Sequence, residues 1–459
     1  MRQRIILALL FLVAPFASAT TRTAATCSAR DVQAQIKHST DGDTVILPLN
    51  SSCTWTTTVT VSKGITLNLN GSTITMQNVS PYGSLSITAD TEASAFVTNG
   101  KIIGGTSPGV GPAAIQTATS LSPLTKTFRL YNLTLDDGSP TTGTATIIRN
   151  TGIGPGLIDS NTINTHVCND ETIQNWGSGT PLDGTTWTTD VVPGSLNALY
   201  IESNTYNHIY VLTSNSCVTS MVSNYYGARV VIRYNQLNLG FYIDAHMGNS
   251  TTGTGARWWE VYQNTFALPG TQPGQPFHQG SYANFRGGSG LVYNNHSTGT
   301  PYQNVPPGWS WGQLAGSSDQ QTGSWPLNWQ IGRGINESYS PSYAWGNDWQ
   351  TTVQVGLTNS GTSFPSYVQV GPTLTSSTCI ANATTGHSAS FCDGENVGSG
   401  AMPTLTRCQS AADLLAGCGT TPITYTYTPA PFPHPLRASR GSGAPITLTR
   451  NSPEGETSR

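Results

Sequence analysis

Three stretches decide the reading: Leu157-Ile158-Asp159-Ser160-Asn161, Leu199-Tyr200-Ile201-Glu202-Ser203-Asn204 and Val230-Val231-Ile232-Arg233-Tyr234-Asn235. Each is an apolar, strand-like run that closes on an asparagine. Working outward, asparagines recur at Asn70, Asn99, Asn132, Asn161, Asn204, Asn235, Asn264 and Asn295, in steps of 29, 33, 29, 43, 31, 29 and 31 residues. A nearly fixed period of that size, built from short β-runs, is the sequence mark of a solenoid, whose coils bury their apolar faces only by stacking. A polar residue tolerated at one recurring place predicts a ladder of amides bonded from coil to coil. The pattern predicts an all-β chain wound as a parallel β-helix.

Composition agrees. Of 459 residues only 9% are Asp, Glu, Lys or Arg, against a usual share of about 25%. Forty-nine glycines suit a turn-rich β architecture. The net charge of −3 builds no positive field for a nucleic acid, so no nucleic-acid partner is expected. Lysine is scarce, which leaves arginine, the planar reader of carboxylates, as the main cation.

Residues 1–19 read as a secretory signal peptide: Arg2 and Arg4, then the apolar run Ile5–Val13, then Ala17-Ser18-Ala19 as a cleavage site. No later stretch approaches the roughly 20 apolar residues of a membrane-spanning helix. The mature chain is expected to be secreted, outside the cell or in a periplasm, and monomeric. Export places the cysteines in an oxidising compartment. They lie in local couples, Cys27 with Cys53, Cys168 with Cys217, Cys379 with Cys392 and Cys408 with Cys418. That pairing is the simplest of many, and no spacing resembles a zinc site.

Along the chain, Arg30 to Ile36 predicts a short helix capping the open solenoid end. Gly42-Asp43-Thr44-Val45 then turns into the alternating run Val59 to Leu69. The segment Gly42–Asn70 resembles the opening of pectate-lyase-like proteins. Gly227–Asn235, Arg257–Phe266, Phe285-Arg286-Gly287-Gly288 and Gln330–Gly334 resemble coils of secreted bacterial right-handed parallel β-helix proteins. The resemblance runs from about Ser39 to Trp345. It implies the right-handed pectin-lyase-like fold and carbohydrate chemistry, and it matches no specific activity. Neither the paired aspartates of polygalacturonase-type hydrolases nor the calcium-binding aspartate set of pectate lyases is present.

The organisation expected is a β-helix over residues 20–365, with insertions at 166–195 and 305–349. A cysteine-bearing extension follows over 366–437, and a disordered tail over 438–459. Trp176 and Trp187 lie in the first insertion. Six tryptophans lie in the second, either as a packed layer or as platforms for sugar rings.

Alternation puts Ile158, Ile201, Ile232, Val261 and Val292 inward. Asp159, Glu202, Arg233, Tyr262 and Tyr293 then point to solvent, on rungs roughly 4.8 Å apart. This stripe is either an ordinary solvated face or a groove for an extended polysaccharide. In the second case the chain would be a lyase that cleaves uronic-acid-containing glycans by β-elimination. Arg233 and Arg229 would neutralise the substrate carboxylate, His246 beside Asp244 would take the proton, and Tyr262 would donate one to the leaving oxygen. Arg257, Arg286, Trp176 and Trp187 would bind substrate. Glu202 and Asp159 would hold a metal, calcium being the cofactor this reading admits, or orient the arginines. Asp136-Asp137 before Gly138 is a second place for a cation, or a plain solvated turn. The competing expectation is a non-catalytic glycan-binding or cell-surface β-helix using the same face.

Overall fold

The computed structural model describes most of residues 19–298, all of 427–438 and short strands between them. Within 19–298 it leaves out 78–84, 89–92, 105–112, 120–126, 139–145, 167–169, 178–190, 192, 209–218, 239–241, 246–254, 268–280 and 286. The expected signal peptide therefore lies outside the described residues, apart from Ala19. Among the described residues no helix is long and apolar enough to cross a membrane.

The chain is mostly β. Among the described residues the strands form one sheet of 19, whose pairings are parallel, one of 11 with a single antiparallel pair at its end, and a separate antiparallel pair, Leu405–Arg407 with Ile423–Tyr425. Most repeats supply three strands, while Ala95–Ile103 and Phe128–Asp136 each fill both first-sheet places as one strand. Arg229–Arg233 and Gln236–Asn238 enter the first sheet and Tyr242–Ala245 the second, before Trp258–Tyr262 returns to the first. Repeats stack in register: Ile158, Ile201, Ile232, Val261 and Val292 are direct partners on successive rungs. All five are fully buried in one continuous core. Long parallel sheets with a core between them are compatible with a parallel β-helix.

The amide ladder exists for five of the eight asparagines. Asn161, Asn204, Asn235 and Asn264 each donate from Nδ2 to the Oδ1 of the next, at 2.9–3.1 Å, ending at Asn295. Each acceptor oxygen also takes the backbone N–H of the previous ladder residue. Asn70, Asn99 and Asn132 depart from expectation. They sit at φ of 52°, 59° and 52°, where later coils have Ser160, Ser203, Tyr234, Gln263 and Asn294. Because Tyr131 pairs with Asp159, Asn132 falls opposite Ser160, one residue short of the ladder. Asparagine suits both places, a left-handed turn and a stacked amide, so spacing alone merges them.

The helix Ala29–His38 forms as expected. Ser28 caps it through Oγ to Asp31 N, and Val32 and Ile36 are buried in the main core. The Cys27–Cys53 disulfide ties this cap to the first coil, and Trp55 donates from Nε1 to Cys27 O. The other six cysteines lie outside the described residues. Asp43 fastens the strand Thr21–Thr23 by accepting from Thr20 N, Thr40 N and Arg22. Burial opposes its charge, but the Thr40 and Thr20 N–H groups hold its carboxyl well below the usual range.

Candidate functional site

The expected stripe assembles. Asp159, Glu202, Arg233, Tyr262 and Tyr293 are register partners down the first sheet. The expectation that it faces solvent is wrong: Asp159, Glu202 and Arg233 are 0% exposed, and both tyrosines are buried. The cover is the chain's own segment Tyr427–Ala438, whose Pro435–Arg437 forms a 3-10 turn. Pro-rich and extended, it lies across the rungs as a strap.

Polar contacts fasten it. Arg233 pairs with Glu202 Oε2 through Nε at 2.8 Å and Nη2 at 2.7 Å. It also donates to Ala430 O at 2.8 Å, Pro431 O at 2.7 Å and the Tyr262 hydroxyl at 2.9 Å. Arg129 holds both oxygens of Asp159, at 2.7 and 2.9 Å, and donates to Arg437 O at 3.2 Å. Glu202 Oε1 accepts His434 N–H at 3.1 Å, and Arg437 reaches Glu202 and Asp159 at 3.4 and 3.2 Å. All four carboxylate oxygens thus accept from N–H groups, so in this conformation the residues expected to hold calcium bind arginine instead. Burial works against the Arg233 charge, but Tyr262 and Glu202 beside it push its pKa up.

Apolar contacts complete the cover. Tyr427, Ala430 and Leu436 pack with Leu157, Tyr200, Val231, Trp258, Tyr262, Leu291 and Tyr293 as a second core outside the sheet. Glu260 sits within it and accepts from Tyr427 at 2.5 Å, Trp258 Nε1 at 2.9 Å and Gly194 N at 2.8 Å. Burial raises its pKa, partly offset by those donors. Gly194 has φ +73°, and a Cβ there would meet Thr428 O at 1.8 Å, so glycine lets this loop approach the strap.

Arg229 shares a strand with Arg233 and is buried, as is Arg257. His246, Arg286 and Trp187 lie outside the described residues. Asp137 Oδ1 is hydrogen-bonded with His166 Nδ1 at 2.7 Å and Asp136 pairs with Lys101 at 3.2 Å, and the ligand atoms of Asp136, Asp137 and His166 lie within 4.8 Å of one another, close enough to hold a cation. Trp176 belongs to the strand Asp170–Trp176 of the second sheet rather than to a loop excursion.

Around Trp176, itself an expected substrate-binding residue, lies a half-exposed cluster whose other members sequence reasoning missed. The Arg149 guanidinium lies 4.4 Å over the Trp176 ring and donates from Nε to Gln174 Oε1 at 2.7 Å. Gln174 donates to Glu171 at 2.5 Å, and Glu171 also accepts the Tyr225 hydroxyl. Tyr226 meets Trp176 edge-on with centroids 5.5 Å apart. Arg149 and Gln174 are half-exposed register partners, and the next partners on that face, Ser223 and Asp244, are buried. Burial, with Glu171 nearby, raises the Tyr225 and Tyr226 pKa values, so both phenols stay protonated at neutral pH.

Two further ladders explain what was legible. Asn150, Asn175 and Asn224 stack inside the second sheet at 2.9 and 3.1 Å. Their steps of 25 and 49 residues carry no visible period, because loops of unequal length intervene. Asn164, Asn207 and Asn238 stack at 3.1 and 2.8 Å, offset by three residues from the main ladder. An Asn-x-x-Asn spacing repeated at Asn161, Asn204 and Asn235 was a readable signal for them. Comparisons with family models, curated proteins and solved structures return no match.

Proposed function

We propose that the chain is an exported, right-handed parallel β-helix that binds acidic polysaccharide on the outer face of its second sheet without cleaving it. The observation that supports this reading is the half-exposed cluster of Arg149, Trp176, Gln174 and Tyr226. An arginine beside an indole offers what a uronate ring needs, a cation for the carboxylate and an apolar plane for the C–H face. Half-exposed polar partners Ser86, Gln116, Arg149 and Gln174 repeat on rungs about 4.8 Å apart, along the direction an extended chain would follow. The first sheet contributes nothing to such binding while the strap covers Arg233 and Tyr262.

Cleavage by β-elimination is the second reading, and the Glu171–Tyr225 hydrogen bond beside Arg149 favours it. Arg149 would neutralise the carboxylate, Glu171 would take the proton, and protonated Tyr225 would donate to the leaving oxygen. Titration of the protein with pectin, alginate and glycosaminoglycan oligomers, with ultraviolet absorbance followed in parallel, separates the two. Binding without a rise in absorbance, weakened at least about tenfold in Trp176→Ala and Arg149→Ala, is the expected result. Rising absorbance from an unsaturated product would install the lyase reading. No binding to any uronate polymer would remove both.

A further inference from the structure

The strap holds a histidine that has room for one proton only. His434 is fully buried, with its ring 4.6 Å from that of Tyr200. Its Nδ1 accepts the Leu436 N–H at 3.1 Å, which places the ring proton on Nε2. Among the described residues Nε2 has no hydrogen-bond partner. A second proton, on Nδ1, would break the Leu436 bond and set a cation inside a group of cations.

Charged and titratable groups of both signs face this part of the strap from every neighbouring strand. Arg129 comes from Phe128–Asp136, Asp159 from Gly156–Asp159, Tyr200 and Glu202 from Leu199–Glu202, and Arg233 from Arg229–Arg233. Arg437 comes from the strap itself, and Glu260 and Tyr262 lie one rung beyond Arg233. Asp159 and Glu202 are already committed to arginines, and Glu260 to Tyr427, Trp258 and Gly194, so among the described residues no neighbouring carboxylate is left to accept an imidazolium.

We propose that His434 is a pH-sensitive lock, which holds the strap down when neutral and releases it in acid, uncovering the wall formed by Asp159, Glu202, Arg233, Tyr262 and Tyr293. Burial first, then the Arg233 and Arg129 charges, push the His434 pKa from 6.5 down to about 3. A depressed histidine favours the docked state fully above the undocked pKa. That advantage falls by about tenfold per pH unit between the two values. Glu260 works the other way: its raised pKa relieves a buried charge as pH falls. The lock therefore predicts that His434 outweighs Glu260.

The test is hydrogen exchange of the full chain at pH 7.5 and 4.5, corrected for intrinsic rates. Protection of residues 427–438 should fall about 100-fold in acid, while strands such as Leu199–Glu202 keep their protection. His434→Gln preserves an acceptor for Leu436 N–H but does not titrate, and its strap protection should be flat. His434→Asn serves the same purpose. Should both variants fail to dock, the wild-type ring titration by nuclear magnetic resonance decides. A midpoint well below 6.5 that coincides with strap release supports the lock. Flat wild-type protection, an equal acid loss in the variants, or a ring titrating near 6.5 with the strap in place overturns it.

Discussion

The outer faces of the two sheets carry similar residues and put them to different uses. On the first, Arg233 and Glu202 are dry, paired and capped by the strap carbonyls of Ala430 and Pro431. On the second, Arg149 lies half-exposed over Trp176, with its neighbours Glu171 and Gln174 open on one side. An arginine on a sheet face is thus not informative by itself. What lies on top decides whether it is a clamp or a reader of ligand.

The sharpest way to break this comparison is to truncate both arginines. Arg233→Ala leaves Glu202 buried without its main partner and should cost about 3–5 kcal/mol in denaturant unfolding. Arg149→Ala should cost less than about 1 kcal/mol and show its effect in ligand binding. Equal losses would mean that the second face is also structural. The ladders give the next contrast. Asn235→Ala removes a buried amide that bonds Asn204, Asn264 and Ile201 O, and should cost about 1–3 kcal/mol. Asn238→Ala, on a half-buried ladder, should cost under about 1 kcal/mol by the same measurement.

Smaller effects probe the edge of the cover. Phe432 is 44% exposed and stacks on Tyr234 with centroids 3.8 Å apart. Phe432→Ala should weaken strap protection in hydrogen exchange by about 0.5–1.5 kcal/mol, without shifting exchange in the second sheet. The last effect is opposite in sign. Burial raises the Glu260 pKa, so its charge opposes folding above the folded pKa, and stability is regained as pH falls toward the unfolded value. Glu260→Gln should therefore raise Tm at pH 7 relative to the wild type and leave it nearly unchanged at pH 4. A Tm lowered at pH 7 would show that the Tyr427, Trp258 and Gly194 donors require the carboxylate.

Legibility followed distance along the chain. The inward column of Ile158, Ile201 and Ile232, the cap helix and the Cys27–Cys53 bridge could all be read, because each depends on alternation or on neighbours about thirty residues away. Asn132 was misplaced by one position because a left-handed turn and a ladder rung both accept asparagine. The strap was invisible: the Arg233–Ala430 contact spans 197 residues and the Glu202–His434 contact 232, with no period linking them. The Arg149–Trp176 cluster was half visible, since Trp176 stood out by type while Arg149 sat in a sheet whose steps are irregular.

The amino-acid sequence by itself determined the repeat, the alternation of faces and the register that lines Asp159, Glu202 and Arg233 into one column. These properties are local to one coil and repeated in the next, so a period records them. Only the tertiary structure decided that the column is buried beneath the strap and that the half-exposed Arg149–Trp176 cluster lies on the second sheet. Exposure depends on which distant segment docks where, and docking between unrelated segments leaves no periodic trace.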